Sequence, residues 1–324
     1  MQAVDASRRP TAQEPPPEAA ERTSVRRKRR RELTPYFLAL PTLIVLAALL
    51  GYPMIKMITL SFQELTLRAL FSGESPPWVG LDNYTDALTN PFFWKVVLRT
   101  IVVAATCVVL SVGLGLALAL LMRRVSPWVR IAMTVAMMLV WAMPQLVATQ
   151  VFAWMVDADW GVVNWMIDRI PGVDFANHSW FADPKQGWSV IIALVVWGAL
   201  PFLAISLYAG MTQVPKELIE AAVVDGAGAW AVFRNVTLPI LWPLLVIVTT
   251  LSVIWDMGLF TQAYVMRGTK PEQDYYTLSI YSYVEAFGKS NYSLGSAISI
   301  ITVLLMVGVL AVYVRQMFKI GEAD

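Results

Sequence analysis

Three carboxylates, Glu217, Glu220 and Asp225, stand among Ala221, Ala222 and Gly226 in a short stretch bounded by long apolar runs. Acidic groups interleaved with small residues suit docking onto another protein. They do not suit acid–base or nucleophilic catalysis, which would need a nucleophile with its base or a metal set. The single histidine, His178, and single cysteine, Cys107, rule out a Cys/His metal cluster and an intrachain disulfide. Gly288-Lys289-Ser290 is the nearest approach to a phosphate-cradling loop, but it lacks the upstream glycine of G-x-x-x-x-G-K-[ST]. ATP hydrolysis therefore has no site in this sequence, and no bound cofactor is expected.

A second group of residues is polar or aromatic within apolar runs: Trp141, Gln145, Gln150, Thr250, Ser252, Trp255, Asp256, Gln262, Ser296 and Ser299. Aromatic faces and hydrogen-bonding groups turned into a helix bundle are what a path for a polar, hydroxyl-rich solute requires. Polar residues inside a membrane are costly enough to be read as functional by default. Asp256 is the sharpest candidate, since a carboxylate at membrane depth costs roughly 3 kcal/mol unless paired or hydrated. The competing reading puts it near a span end, bonded to a neighbouring helix. The serines and threonines equally suit helix packing, and Gly113, Gly115, Ala117 and Ala119 are expected to be packing positions.

The elements that must position these residues follow from composition. Of 324 residues, 57% are hydrophobic and 15% charged, against about 25% charged in a soluble domain. Six apolar runs reach the roughly 20 residues that cross a bilayer as helix. They lie at about 36–62, 94–122, 131–156, 188–211, 239–262 and 294–318. Continuous runs favour helices over a barrel, so the expected fold is all-α, a polytopic membrane protein with six transmembrane helices. Residues 1–31, rich in proline and charge, read as a disordered tail ahead of a transmembrane domain at 32–324.

The basic cluster Arg26-Arg27-Lys28-Arg29-Arg30-Arg31 directly precedes the first span. Attraction to anionic lipid accounts for it better than nucleic-acid binding. Placing that tail in the cytoplasm puts most lysines and arginines on the cytoplasmic side, with both termini there. Trp78, Tyr84, Trp94, Trp160, Trp165, Trp180, Trp188, Tyr275 and Tyr276 near span ends suit an interfacial belt.

The segment 212–238 is then a cytoplasmic connection. Pro215 suits a first helical turn, Lys216 to Val224 carries apolar residues at helical spacing, and Gly226 and Gly228 interrupt it. A second short helix is expected at about 229–235, before Pro239 opens the next span. A helix merely floating on headgroups would show lysine and arginine to the lipid, whereas this one shows Glu217, Glu220 and Asp225.

Glu220-Ala221-Ala222, Gly226 and then Val236, Leu238 and Pro239 resemble the EAA signature of permease subunits of ATP-binding-cassette importers. Asp225-Gly226-Ala227, Phe233 and Thr237-Leu238-Pro239 narrow the likeness to the carbohydrate-uptake branch, the maltose and glycerol-phosphate type. Tyr52-Pro53, Val79 to Tyr84, Gly161 with Asn164, Phe260, Tyr264-Val265-Met266 and Leu294 to Ala297 are similar to that branch as well. Where the branch commonly has Gly-Gly-Pro after the fifth span, this chain has Gly268-Thr269-Lys270-Pro271.

The resemblance implies a type I importer permease in a bacterial inner membrane. It implies a second homologous permease subunit, two cytoplasmic ATPase subunits holding ATP and magnesium, and an extracytoplasmic binding protein. Glu217, Glu220, Ala221, Ala222, Asp225, Gly226, Leu238 and Pro239 would then form the coupling segment, and Tyr264 would join the substrate path. An ion-coupled secondary transporter is the alternative, but it would usually show internal repeats. None is evident between the halves.

Overall fold

The computed structural model describes residues 37–65 and 67–321. The expected disordered tail, residues 1–31, lies outside the described residues. The chain divides into two compact units, Met1–Met57 and Ile58–Asp324. Among the described residues the fold is helical, with a single isolated β-bridge between Gln63 and Trp78.

Among the described residues five helices are long and apolar enough to cross a membrane, or six crossings if one sharply bent pair counts as a span. The first is α1, Phe37–Ser61. It widens to a π-turn over Ala47–Gly51, just ahead of Tyr52-Pro53, where proline leaves one carbonyl without its usual donor. Next comes α2, Pro91–Arg124, which starts on the Asn90 side chain accepting the Phe92 N–H at 2.9 Å and ends on Arg123 and Arg124. An acceptor at the first turn and cations at the last match the helix dipole.

The expected third span, 131–156, is two helices: α3, Pro127–Ala142, and α4, Gln145–Met155, bent by 100° at the break. Pro144 supplies the cause, since it has no N–H to donate and it forces Met143 into extended backbone, with ψ at 127°. Helix α5, Pro184–Thr212, keeps Pro201 within it and is capped by Asp183 accepting the Lys185 N–H at 2.9 Å.

A short helix, α6, occupies Lys216–Val224 as expected. The following element differs from expectation. There is no separate helix at 229–235, because Ala229–Met257 is one unbroken helix, α7. A π-turn over Phe233–Thr237 lets the chain run through Pro239 without a break. The helix stops at Gly258, short of the expected 262, and residues Thr261–Met266 form a separate turn of helix, α8. The last span is α9, Tyr292–Gly321.

Within the second unit, α2 and α5 pack along one another more extensively than any other pair. Their closest approach uses Gly115: a Cβ there would sit 2.7 Å from the Leu203 Cβ. Gly115 and Ala119 are buried as packing positions, whereas Gly113 and Ala117 face outward. Beyond this contact Leu203, Leu207 and Met211 of α5 meet Leu241 and Leu245 of α7. At the other end Trp188, Ile191, Ala263 and Tyr275 form a second cluster. Phe93, Leu278, Tyr281 and Ile298 join α2 to α9 in a third.

Side chains of the connecting segments are tied by directed bonds. The Asn83 amide donates to the carbonyls of Ser61 and Gln63, both at 3.0 Å, and Tyr84 shares a 2.7 Å hydrogen bond with Ser61. Asn164 donates to the carbonyls of His178 at 2.8 Å and Asp157 at 3.2 Å, and accepts the Trp180 indole N–H at 2.7 Å.

Candidate functional site

The acidic residues and the path residues occupy two regions joined by α7. On α6, Glu217, Glu220, Ala221 and Asp225 are exposed and Ala222 is half-buried. Leu218, Val223 and Val224 are exposed beside them, as is Trp230 at the start of α7. The surface therefore mixes carboxylates with apolar side chains. A contact surface for a protein has that character, and a headgroup-binding helix does not.

The end of α6 is closed by backbone geometry. Gly226 has φ of +83°, the left-handed region, and the Gly226 N–H donates to the Val223 carbonyl at 3.0 Å. The Ala227 N–H reaches back to Ala222 at 2.9 Å. These two bonds are the Schellman pattern, in which glycine avoids the Cβ clash that other residues meet at that φ. The spacing from Ala222 to Gly226 thus has a local cause. No atom lies within 4 Å of where a Gly226 Cβ would be, so crowding inside this chain is not the reason for glycine.

Leu238 and Pro239 lie away from this surface, inside α7. Leu238 packs against the Leu207 and Leu241 cluster, and Pro239 is exposed. Phe233 joins the same cluster, so the elbow is attached to the span by buried contacts as well as by the chain.

Near the far end of α7 a cavity of about 460 Å³ opens beside the break between α3 and α4. Of the expected path residues, Trp141, Gln145, Trp255, Asp256 and Gln262 line it together. Sequence reasoning missed Met143, Trp197 and Phe202, which also line it. Phe202 meets Trp255 edge to face, with ring centroids 5.3 Å apart. Helix α4 begins at the cavity, and its first turn has no side-chain cap. Its leading N–H groups remain as donors there.

Asp256 is 6% exposed, and its Oδ2 is one of two buried side-chain oxygens without a hydrogen-bond partner among the described residues; the other is Ser111 Oγ. The reading in which a neighbouring helix satisfies it therefore leaves Oδ2 unmet.

The remaining path residues are elsewhere. Gln150 is exposed on α4, outside the lining. The Thr250 hydroxyl donates to the Val246 carbonyl of its own helix at 2.6 Å, and Ser252 is buried in α7. Tyr264 stacks on Phe260, a lining residue, at 4.8 Å and meets Tyr283 edge-on. Ser299 bonds Ser282 at 2.5 Å, and Ser296 is half-buried on the same helix. None of these serines and threonines lines the cavity.

Past the cavity, Arg267 holds Glu272 through two hydrogen bonds, of 3.0 and 2.5 Å, and lies over the rings of Phe181 and Tyr275. The hydrogen bond from Arg267 holds the Glu272 carboxyl below the usual carboxylate range. Burial pushes the Tyr275 hydroxyl up. Arg99 donates from α2 to the carbonyls of Gln273 at 2.6 Å and Tyr276 at 3.2 Å. Two arginines thus pin the segment that follows Gly268.

Residues 111–319 match the family described as the binding-protein-dependent transport system inner membrane component. Over 292 residues the chain is 39% identical to the diacetylchitobiose uptake system permease protein DasB of Streptomyces coelicolor, covering 90% of this chain and 89% of that one. It is 31% identical to the sulfoquinovosyl glycerol transport system permease protein SmoG of Agrobacterium fabrum, over 85% and 87% of the two chains. Identity to the trehalose/maltose transport system permease protein MalF of Thermococcus litoralis is 29%, over 86% and 92%. The fold matches a bacterial ABC transporter for the acidic polysaccharide alginate with a TM-score of 0.76 at 18% identity, over 92% of this chain and 99% of that one.

Proposed function

The chain belongs to the family of binding-protein-dependent transport system inner membrane components, and from that premise we propose that it carries a di- or oligosaccharide inward through the cavity beside Asp256. It is an integral inner-membrane permease of a sugar-importing ABC system, and its family consists of transport components and not catalysts. The named relatives handle saccharides or a sugar glycoside, which favours this reading over an ion-coupled carrier.

In this reading a separate pair of ATPase subunits binds ATP and magnesium and docks on the cytoplasmic face of α6. A second, homologous permease subunit completes the path, and an extracytoplasmic binding protein delivers the saccharide. Both termini lie in the cytoplasm, as the basic residues at 26–31 favour. Glu217, Glu220 and Asp225 supply charge at the docking surface, and Ala221, Ala222 and Gly226 permit close approach. One observation carries the reading: the capped acidic helix α6 leads through the short turn at 225–228 straight into α7, whose opposite end lines the cavity.

Co-purification tests it. Affinity capture of this chain from native membranes is expected to bring an ATPase and a second polytopic permease. Vesicles reconstituted with the captured complex should show ATPase activity stimulated by the loaded binding protein. Capture of the chain alone, with saccharide uptake driven by an ion gradient, would overturn the proposal.

A further inference from the structure

Taking the saccharide reading of the cavity as given, we infer that Asp256 makes it selective by charge, admitting neutral or amine-bearing saccharides and excluding those that carry a carboxylate. The cavity has a polarity that a generic sugar path does not require. Asp256 is the sole ionisable side chain among the described residues that line it. The other lining groups are aromatic faces, such as Trp141, Trp197 and Trp255, and the side-chain amides of Gln145 and Gln262. Aromatic faces receive the C–H face of a pyranose ring, and amides bond its hydroxyls. None of these side chains carries a compensating positive charge, and the uncapped N–H groups of α4 supply only a partial one.

Asp256 itself is nine-tenths buried and one of its oxygens is unmet. A carboxylate oxygen can only accept, so the group that satisfies it must donate an O–H or N–H. A hydroxyl does this, and an ammonium does it with charge complementarity as well. A second carboxylate cannot. It would either hold two like charges at short range in a low dielectric or take up a proton, and both are unfavourable. The ion pairs among the described residues engage Arg99, Arg267 and Lys289 with Asp274, Glu272 and Glu285, and none of these residues lines the cavity.

The test uses the assembled importer without its binding protein, so that the permease alone sets the preference. Three radiolabelled probes of equal ring number are compared by equilibrium dialysis: cellobiose, the glucosamine disaccharide chitobiose, and a uronic-acid disaccharide. Wild-type complex is expected to bind the first two at least about tenfold more tightly than the uronate. Asp256→Asn, which keeps the shape and removes the charge, should bring the uronate within about twofold of cellobiose, while Asp256→Glu should keep the discrimination.

Equal binding of all three probes by the wild type would overturn the inference. So would unchanged discrimination in an assembled Asp256→Asn complex. If that variant does not assemble, the wild-type comparison decides alone. Saccharide binding without charge discrimination sinks only this inference. Absence of any saccharide binding, together with absence of saccharide uptake by the complete importer, sinks the transport reading beneath it.

Discussion

The Ala227 N–H donates to the Ala222 carbonyl at 2.9 Å, and the bond closes only because Gly226 between them stands at φ +83°. Any L-residue at that φ meets its own carbonyl, at a cost of about 1–2 kcal/mol. Gly226→Ala is therefore expected to fray the end of α6 and lower coupled uptake several-fold. Gly226→Asp, which adds a charge beside Asp225, should abolish uptake while leaving the chain in the membrane at normal abundance. Uptake assays and quantitative membrane blots on the two variants check this. Full substrate-stimulated ATPase activity in the Gly226→Asp complex would remove α6 from the coupling route.

Gly115 offers a test of the packing between α2 and α5. A Cβ at this position would meet the Leu203 Cβ at 2.7 Å, and Leu203 is almost fully buried, so neither side chain can yield. Gly115→Ala should destabilise the bundle by about 1–3 kcal/mol through overpacking. Gly113→Ala, two positions away and facing open space, should be close to neutral. Thermal denaturation in detergent, followed by fluorescence or size exclusion, distinguishes the pair.

Asn164 is 4% exposed and binds at once the carbonyls of Asp157 and His178 and the indole of Trp180. Asn164→Ala leaves a ring N–H and two carbonyls without these bonds. The expected loss is about 2–3 kcal/mol, from unmade bonds at buried groups. Asn164→Asp retains the acceptor for Trp180 but turns a buried carboxylate oxygen onto two carbonyls, so it should be destabilised at least as much as alanine. Limited proteolysis within residues 157–183 should quicken in the same order.

Glu272 predicts a pH dependence with a definite sign. The Arg267 hydrogen bond lowers its folded-state pKa, so its contribution is fully present above the ordinary glutamate value, about 4.3. As pH falls through the lowered folded value the carboxyl protonates and the contribution is lost. Glu272→Gln should therefore lower the denaturation temperature slightly at pH 7, with the difference shrinking as pH falls through the lowered folded-state value. The size is small, since Glu272 is largely exposed. A difference between variant and wild type that grows on acidification would contradict the assignment.

The spans were legible because lipid demands uninterrupted apolarity, and that signal survives without knowledge of partners. The break between α3 and α4 was not, because the sequence is apolar on both sides of it, Gln145 apart, and proline alone does not decide. Pro201 and Pro243 remain inside α5 and α7, whereas Pro144 ends a helix with Met143 extended before it. The same ambiguity at Pro239 hid the fusion of the helix expected at 229–235 to the span that follows it.

At the cavity, Trp141, Gln145, Asp256 and Gln262 were legible as costly polar or amphipathic groups in apolar surroundings. Trp197 and Phe202 were not, since an aromatic residue within a span is equally at home against lipid or a neighbouring helix. The elbow was the most legible of all, its Ala222-to-Gly226 spacing being fixed by local backbone geometry.

The fusion of Ala229 to Met257 into one rod has a mechanical consequence. At 1.5 Å per residue, its 29 residues make a beam about 40 Å long. A beam that tilts about its middle moves its two tips in opposite senses by equal amounts, so about 10° of tilt carries each tip about 3–4 Å. Trp230 and Asp256 would travel in antiphase, like the two seats of a seesaw, with any give confined to the π-turn at Phe233–Thr237 and to Pro243.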